Sequence, residues 1–214
     1  QMKQEGIKPN EYTIVSMLKA CSSLLAMGEG IQVHMSFIEC GFYLDTYVGN
    51  ALIDMYAKCG SLQNAYRIFN QLAIRDVVTW SSLIAGCAQH EEGQAAIQHY
   101  IEMQSDGIEP NIVTFITLLK ACSSIAALGQ GRLCHSHIIN NGFNLDAYIG
   151  SALIDMYTKC GCLEEACKVF HMLPKRDTVV WSAMINGYAQ HSDYESALYY
   201  FDAMHQEGIE PDAV

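Results

Sequence analysis

The sequence predicts an all-α protein, an α-solenoid built from stacked helix-turn-helix repeats. The first observation is internal repetition: ten residues at 51–60 return at 152–161 with one change, and 19–23 return unchanged at 120–124. The second is that apolar residues recur at three- and four-residue spacing between glycine breaks. Short amphipathic helices cannot bury such faces alone, so neighbouring repeats must stack.

The repeated block has a period of 101 residues and divides into units of 35, 31 and 35 residues. We expect a tail of a preceding unit at 1–10 and the start of a further one at 213–214, so the chain is interpreted as a piece of a longer protein. The predicted units are 11–45, 46–76, 77–111, 112–146, 147–177 and 178–212.

Each unit is expected to contain two helices. In the unit 77–111, the pattern predicts a helix at about 78–89, a break at 90–93 and a second helix at about 94–105. Gly107 and Pro110 then close the unit, because glycine supplies a left-handed cap and proline stops the next turn. Aromatic and methionine residues within these helices are interpreted as core.

Composition narrows the possible partners. No apolar run reaches the ~18 residues that span a bilayer, so no membrane partner is expected. The net charge of −11 argues mildly against a nucleic-acid partner. It does not exclude one, because binding depends on where the charges lie and not on their sum.

Nine cysteines suggest reduced, structural thiols. Metal binding at 134–137 or 160–162 is the alternative, but C-x-x-C is absent from the sequence.

These motifs resemble the pentatricopeptide repeat family. Its unit signature is matched by Gly-Ile-Glu-Pro at 107–110 and 208–211. The alternation of unit lengths resembles the land-plant subgroup with long, short and standard repeats. There, Leu-Leu-Lys-Ala-Cys (118–122) marks the long unit and Ala-Leu-Ile-Asp-Met-Tyr-x-Lys-Cys-Gly the short one. The standard unit is marked by Trp-x-x-x-Ile-x-Gly-x-Ala-Gln, found at 181–190.

The resemblance implies a right-handed solenoid that binds single-stranded RNA in a mitochondrion or chloroplast, one base per unit, with its N-terminus toward the RNA 5′ end. The fifth and last residues of each unit are implied to read the base. These pairs are Val15/Asp45, Asn50/Asp76, Ser81/Asn111, Ile116/Asp146, Ser151/Asp177 and Ser182/Asp212.

Hydrogen-bond chemistry suggests which base each pair prefers. A carboxylate only accepts, so a terminal Asp favours the ring N–H of guanine or uracil, whereas Asn can donate to adenine or cytosine. A small Ser leaves space for a purine and a longer Asn suits a pyrimidine. Val15 and Ile116 should discriminate poorly, so the predicted target is 5′-N-U-A-N-G-G-3′. Capping is the alternative role for Asn50, Ser151 and the unit-terminal residues, and both roles can coexist.

Stacking and phosphate contacts are also implied by the family. The second residues of the units are expected to sandwich the bases: Tyr12, Tyr47, Val78, Val113, Tyr148 and Val179. The thirteenth residues, Lys58, Lys159, Gln89 and Gln190, are expected at phosphates, with Lys19 and Lys120 nearby. The alternatives are inter-helix packing for the aromatic residues and ordinary solvation for the lysines. Acidic residues are expected mainly on the second helices, away from RNA.

We predict that the chain is not an enzyme and needs no cofactor. Related land-plant proteins carry a zinc deaminase domain that converts cytidine to uridine, which requires H-x-E and P-C-x-x-C. His90-Glu91-Glu92 matches the first spacing, but no P-C-x-x-C follows and the match is interpreted as chance. The resemblance implies that the chain directs RNA editing or other transcript processing as a monomer, with a deaminase domain or accessory editing factors as partners. A protein-binding scaffold is the alternative.

Overall fold

A computed structural model describes residues 9–210, and this part of the chain contains twelve α-helices and no strand. The expected ends at 1–8 and 211–214, with Asp212, lie outside the described residues. The helices are α1 (Glu11–Leu24), α2 (Met27–Glu39), α3 (Thr46–Lys58), α4 (Leu62–Gln71), α5 (Val77–Gln89), α6 (Gly93–Ser105), α7 (Ile112–Ser124), α8 (Leu128–Asn140), α9 (Ala147–Lys159), α10 (Leu163–Met172), α11 (Thr178–Gln190) and α12 (Tyr194–Gln206).

The helices form two compact bodies that divide after Thr114. In the first, α1 packs on α3 and α3 on α5, while α2, α4 and α6 pack on the helices that precede them. In the second, α9 packs on α11, and α10 and α12 pack on their preceding helices. Each body is therefore a stack of helical hairpins, which confirms the predicted all-α solenoid class. The helices expected at 78–89 and 94–105 are found to within one residue.

The last residue of each of the five predicted units that end within residues 9–210 caps the helix that follows it. A side-chain oxygen accepts the backbone N–H three residues later, which satisfies a donor that the first turn leaves free. The N···O distances are 2.9 Å for Asp45, 2.8 Å for Asp76, 3.0 Å for Asn111, 2.9 Å for Asp146 and 3.1 Å for Asp177. The capping interpretation of these residues is confirmed.

The core is built from aliphatic and aromatic side chains that recur in both blocks. Trp80 packs edge-on against Phe69 with ring centroids 4.7 Å apart, and Trp181 meets Phe170 at the same separation. Leu83, Ile84 and Cys87 on α5 are fully buried. These faces supply the burial that stabilises helices too short to be stable alone.

The cysteines are free thiols. Cys21 and Cys122 are buried, whereas Cys59 and Cys160 lie half-buried at the ends of α3 and α9. Within residues 9–210, no cluster of three or more His, Cys, Asp or Glu side chains is arranged to hold a metal ion. Across the same range, every helix is too short or too polar to cross a bilayer.

Candidate functional site

A groove of about 550 Å³ opens in the first body where α1, α3 and α5 lie side by side. Several predicted functional residues meet there although they come from three different units. Its lining comprises Val15, Lys19, Thr46, Tyr47, Asn50, Ala51, Asp54, Asp76, Val78 and Ser82. The groove thus brings together a predicted reading pair, two predicted stacking residues and a lysine.

The Asn50/Asp76 pair is joined directly. Asn50 Nδ2 donates to Asp76 Oδ1 over 3.2 Å. The buried Thr79 on α5 lies between them, with Oγ1 2.6 Å from Asn50 Oδ1 and 2.9 Å from Asp76 Oδ1. Asp76 N–H donates to the same hydroxyl over 3.2 Å, which completes a capping box.

These hydrogen bonds keep Asp76 ionised. Burial alone raises the pKa of its carboxyl, but the hydrogen bonds from Thr79 and Asn50 outweigh burial, and the net pKa is lowered. Asp76 is therefore an acceptor only. The hydrogen bonds from Asn50 Nδ2, Thr79 N–H and Thr79 Oγ1 all reach Oδ1, and the Val78 N–H is a further donor to this carboxylate.

The Ser81/Asn111 pair is joined through a threonine at the corresponding place. Ser81 is buried, and its Oγ lies 2.7 Å from Thr114 Oγ1. Thr114 Oγ1 in turn donates to Asn111 Oδ1 over 3.0 Å, and Thr114 N–H donates to the same oxygen. The amide oxygen of Asn111 is therefore turned toward the helix start.

The second body arranges its reading pair differently. Ser151 Oγ donates back to the Tyr148 carbonyl over 3.1 Å, and Asp177 caps α11 at Val180. Val180 stands where Thr79 stands in the first block. Ser182 lies half-buried on α11, and its predicted partner Asp212 is outside the described residues.

The two units that are predicted to be long present little surface at their predicted reading positions. Val15 and Ile116 are 2% and 3% exposed, so their side chains belong to the core. Their partners Asp45 and Asp146 are exposed helix caps. The interpretation of Asn50 and Ser151 as N-caps is wrong, because the caps of α3 and α9 are Asp45 and Asp146 and the other two lie five residues further along.

The six predicted stacking residues are all exposed, from 47% at Tyr47 to 73% at Tyr12. The rings of Tyr12 and Tyr47 contact each other, with centroids 6.1 Å apart and planes at 58°. A base that enters between them must separate them. Tyr47 and Tyr148 keep about half or more of their surface exposed, and the contact with Tyr12 shows that Tyr47 also packs between α1 and α3.

The predicted phosphate lysines carry ion pairs. Lys58 Nζ lies 2.9 Å from Asp54 Oδ1, and Lys159 Nζ lies 2.9 Å from Asp155 Oδ1. Lys19, Lys120, Gln89 and Gln190 are exposed on first helices. The acidic residues of the last units lie on or at the ends of second helices, as expected: Glu164, Glu165, Asp193, Glu195, Asp202 and Glu207.

The H-x-E match at 90–92 has a structural role. His90 Nε2 is 2.6 Å from the Ala57 carbonyl oxygen, which ties the end of α5 to α3. His191 makes the same contact with Thr158 at 2.6 Å. Sequence reasoning missed these contacts, and the signal that could have found them is the return of His90 as His191. Sequence reasoning also missed the side-chain hydrogen bonds of Thr79 and Thr114, which link the members of two predicted reading pairs.

A stack of helical hairpins with polar caps along its first helices defines a helical-repeat protein of the α-solenoid class. Models of the PPR repeat family match residues 75–124 and 176–214, and models of the PPR repeat match residues 50–77 and 151–177. Together these matches span more than half of the chain. The chain belongs to the pentatricopeptide repeat (PPR) family.

Similar proteins from Arabidopsis thaliana carry the same family name. Pentatricopeptide repeat-containing protein At2g33680 is 45% identical over the whole chain, which covers 29% of that protein. At3g24000, named mitochondrial, is 36% identical over the whole chain and 34% of its own length. At4g18520, named chloroplastic, is 40% identical over 95% of the chain and 33% of its length. The chain spans about a third of the length of these relatives.

Solved structures share the fold. The chain aligns over 99% of its length with 32% of PPR10, solved in complex with an 18-nt psaJ RNA element, at a TM-score of 0.81 and 21% identity. It aligns over 84% of its length with 42% of the nuclear proteinaceous RNase P 2 of A. thaliana, at a TM-score of 0.64 and 14% identity.

Proposed function

We propose that this chain binds single-stranded RNA with one base per unit, its N-terminus toward the RNA 5′ end, and that it directs C-to-U editing in a mitochondrion or chloroplast. The observation that carries the proposal is the groove that gathers Asn50, Asp76, Tyr47 and Val78. It offers hydrogen-bonding groups and flanking surfaces that an unstacked nucleobase could contact.

Capping and base reading use different atoms of the same residue. In Asp76, the cap at Thr79 and the link to Asn50 use Oδ1, and Oδ2 is proposed to accept the ring N–H of uracil. Asn50 uses one amide hydrogen on Asp76, and its second can donate to a uracil carbonyl. Cytosine would place a bare ring nitrogen against the carboxylate. The pair therefore favours uracil.

In the unit 77–111, Asn111 likewise uses one side-chain atom for the helix cap and offers another to the base, and this favours adenine. Thr114 holds the amide oxygen of Asn111, so the NH₂ group is the part left to meet a base. An NH₂ group donates to the bare ring nitrogen of adenine and has no acceptor for the ring N–H of guanine. Ser81 contributes mainly through its small size, since it is buried. Ser151/Asp177 and Ser182/Asp212 are proposed to read G.

Base stacking supplies affinity that does not depend on sequence. Tyr47 and Tyr148 are exposed aromatic residues at the proposed stacking position, and such contacts contribute about 1–3 kcal/mol per base. Val78, Val113 and Val179 offer smaller surfaces. Lys58 and Lys159 provide the proposed phosphate contacts, and with so few cations the affinity should be modest and should fall with salt.

Similar proteins support the choice of ligand and compartment. PPR10 was solved with an RNA element, and relatives that cover the chain are named mitochondrial or chloroplastic. The editing role rests on the resemblance of the repeats to the long, short and standard land-plant pattern, and transcript processing or stabilisation is the alternative. We propose that the chain acts as a monomer and selects the RNA site. A deaminase domain or a recruited factor then carries out the conversion of cytidine to uridine.

The proposal is tested by changing one predicted reading residue. The chain is mixed with single-stranded RNA that contains U-A-N-G-G, and with matched RNAs in which A is replaced by G. Wild type should prefer A, whereas Asn111→Asp should prefer G, because a carboxylate repels the ring nitrogen of adenine and accepts the N–H of guanine. The same side-chain shape preserves the helix cap.

The outcomes separate the candidate functions. An unchanged preference in Asn111→Asp would show that this unit does not read its base. Equal binding of the target and a scrambled RNA, or no binding, would instead favour a protein-binding scaffold. A melting temperature close to that of wild type is the control that the substituted chain is folded.

A further inference from the structure

We propose that Thr79 and Thr114, each the third residue of its unit, are positioning residues that set base specificity in the preceding unit. This inference rests on the proposed RNA reading and deepens it. The pairs that read the base are Asn50/Asp76 and Ser81/Asn111, and each threonine touches both members of one pair. A third residue is thereby added to the two that the sequence resemblance implies.

The geometry at Thr79 determines the orientation of Asn50. Its hydroxyl lies 2.6 Å from Asn50 Oδ1, and the NH₂ of Asn50 faces the carboxylate of Asp76 at 3.2 Å. The flipped amide would place its oxygen against an ionised carboxylate, which disfavours this orientation, and the proton that Thr79 Oγ1 donates to Asn50 Oδ1 stabilises the observed one. Thr79 and Asp76 together hold one amide hydrogen and one carbonyl lone pair toward the groove.

Thr114 repeats this arrangement with different partners. Its hydroxyl is 2.7 Å from Ser81 Oγ and 3.0 Å from Asn111 Oδ1. Both threonines are fully buried, so neither hydroxyl is itself available to a base. Each acts through the pair it bridges.

The second block provides a natural comparison within the chain. At the place of Thr79 it has Val180, which is equally buried and has no hydroxyl. The reading-pair residue there, Ser151, turns its hydroxyl to the Tyr148 carbonyl of its own helix. Asp177 still caps its helix at Val180 N–H, as Asp76 caps at Thr79 N–H. The hydroxyl is therefore dispensable for the cap, and its presence coincides with the link between the two members of the pair.

The bridge is expected to act on discrimination more than on affinity. Without the hydroxyl, Asn50 is held only by its bond to Asp76, so its amide is less firmly oriented and the flipped amide, which accepts from the NH₂ of cytosine, becomes less costly. Loss of one neutral hydrogen bond corresponds to about a threefold to tenfold change in an equilibrium ratio. We therefore expect the preference of the unit 46–76 for U over C to fall by that factor in Thr79→Val.

The test measures binding of the 214-residue chain to two single-stranded RNAs that differ only by U or C opposite the unit 46–76. Thr79→Val should lower the U-over-C ratio, and Thr79→Ser, which restores a hydroxyl, should recover it. The A-over-G ratio opposite the unit 77–111 should stay constant in Thr79→Val, because Thr114 is intact. A valine is sterically acceptable here, since Val48 and Val180 are buried at the same position of other units.

Each outcome bears on a different claim. If wild type shows no preference between U and C, base reading itself fails and this inference fails with it. If wild type prefers U and folded Thr79→Val keeps the full ratio, only the bridging role is overturned. If Thr79→Val does not fold, Thr79→Ala decides by the same ratio. A ratio that drops in Thr79→Ser as much as in Thr79→Val would also overturn the proposal.

Discussion

Ser22 and Asp54, 32 positions apart in the sequence, are joined by a hydrogen bond of 2.6 Å between Oγ and Oδ2. Asp54 also binds Lys58, whose Nζ lies 2.9 Å from Oδ1 and 3.1 Å from Oδ2. The second block repeats the cluster, with Ser123 Oγ 2.8 Å from Asp155 Oδ2 and Lys159 paired to the same carboxylate. Each proposed phosphate lysine is thus oriented by a carboxylate that also cancels its charge.

Substitutions of Lys58 and Asp54 should change RNA affinity in opposite directions. Lys58→Ala removes a cation and should weaken binding and reduce the slope of log affinity against log salt by about one. Asp54→Asn removes a negative charge beside the proposed phosphate and should tighten binding a few-fold at low salt, by about 1 kcal/mol or less. Binding to single-stranded RNA across a salt series measures both effects.

Lys168 on α10 is the matched control for the charge effect, because it is an exposed lysine on a second helix. Lys168→Ala changes the net charge by the same amount as Lys58→Ala, and we expect little change in affinity. Equal salt slopes for the two variants would show that Lys58 does not meet phosphate.

The close approach of α3 and α5 depends on Gly86. A Cβ at this position would lie 2.5 Å from Ala57 Cβ and 3.1 Å from Leu62 Cδ2. Gly86→Ala should therefore lower the free energy of unfolding by about 1–3 kcal/mol. Adding Ala57→Gly should recover part of the loss. Chemical denaturation of the two variants measures the difference.

A glycine without such a neighbour gives the opposite expectation. Gly28 on α2 has no atom within 4 Å of a built Cβ, so Gly28→Ala should leave stability unchanged or raise it by about 0.5–1 kcal/mol. If both glycine variants lost the same stability, the α3–α5 contact would not be the specific cause of the loss in Gly86→Ala.

His34 and His135 should make the fold less stable in acid. Burial lowers the pKa of both side chains from the ordinary value of 6.5, and each Nδ1 bonds a tyrosine hydroxyl, Tyr56 or Tyr157, at 2.8 and 2.9 Å. Below pH 6.5 the unfolded chain binds more protons than the folded one. The free energy of unfolding therefore falls as the pH drops from 6.5 through the folded pKa values.

Thermal melts at about pH 7.5 and about pH 5.5 measure this effect, since histidine is the side chain that ordinarily titrates in that window. Wild type should melt at a lower temperature at the acidic pH. The double variant His34→Gln/His135→Gln should show a smaller difference between the two pH values. An undiminished difference in the double variant would assign the acid sensitivity to other groups.

The helices could be predicted because their signals are local. Val77–Gln89 and Gly93–Ser105 follow from apolar spacing and glycine breaks, and the caps at Asp45 and Asp76 use residue types that favour helix starts. The bridging roles of Thr79 and Thr114 could not be predicted, because their partners Asn50 and Ser81 are 29 and 33 positions away. Only the lateral packing of first helices brings them into contact.

The sequence alone determined the repeat period, the helical class and the positions where helices start, since these depend on residue type and short-range spacing. The tertiary structure decided which side chains remain accessible: it buried Val15, Ile116 and Ser81 and left Tyr47 and Asn50 at the edge of a groove. The physical reason is that accessibility is set by the neighbouring unit, whose distance and orientation arise from side-chain packing across many residues.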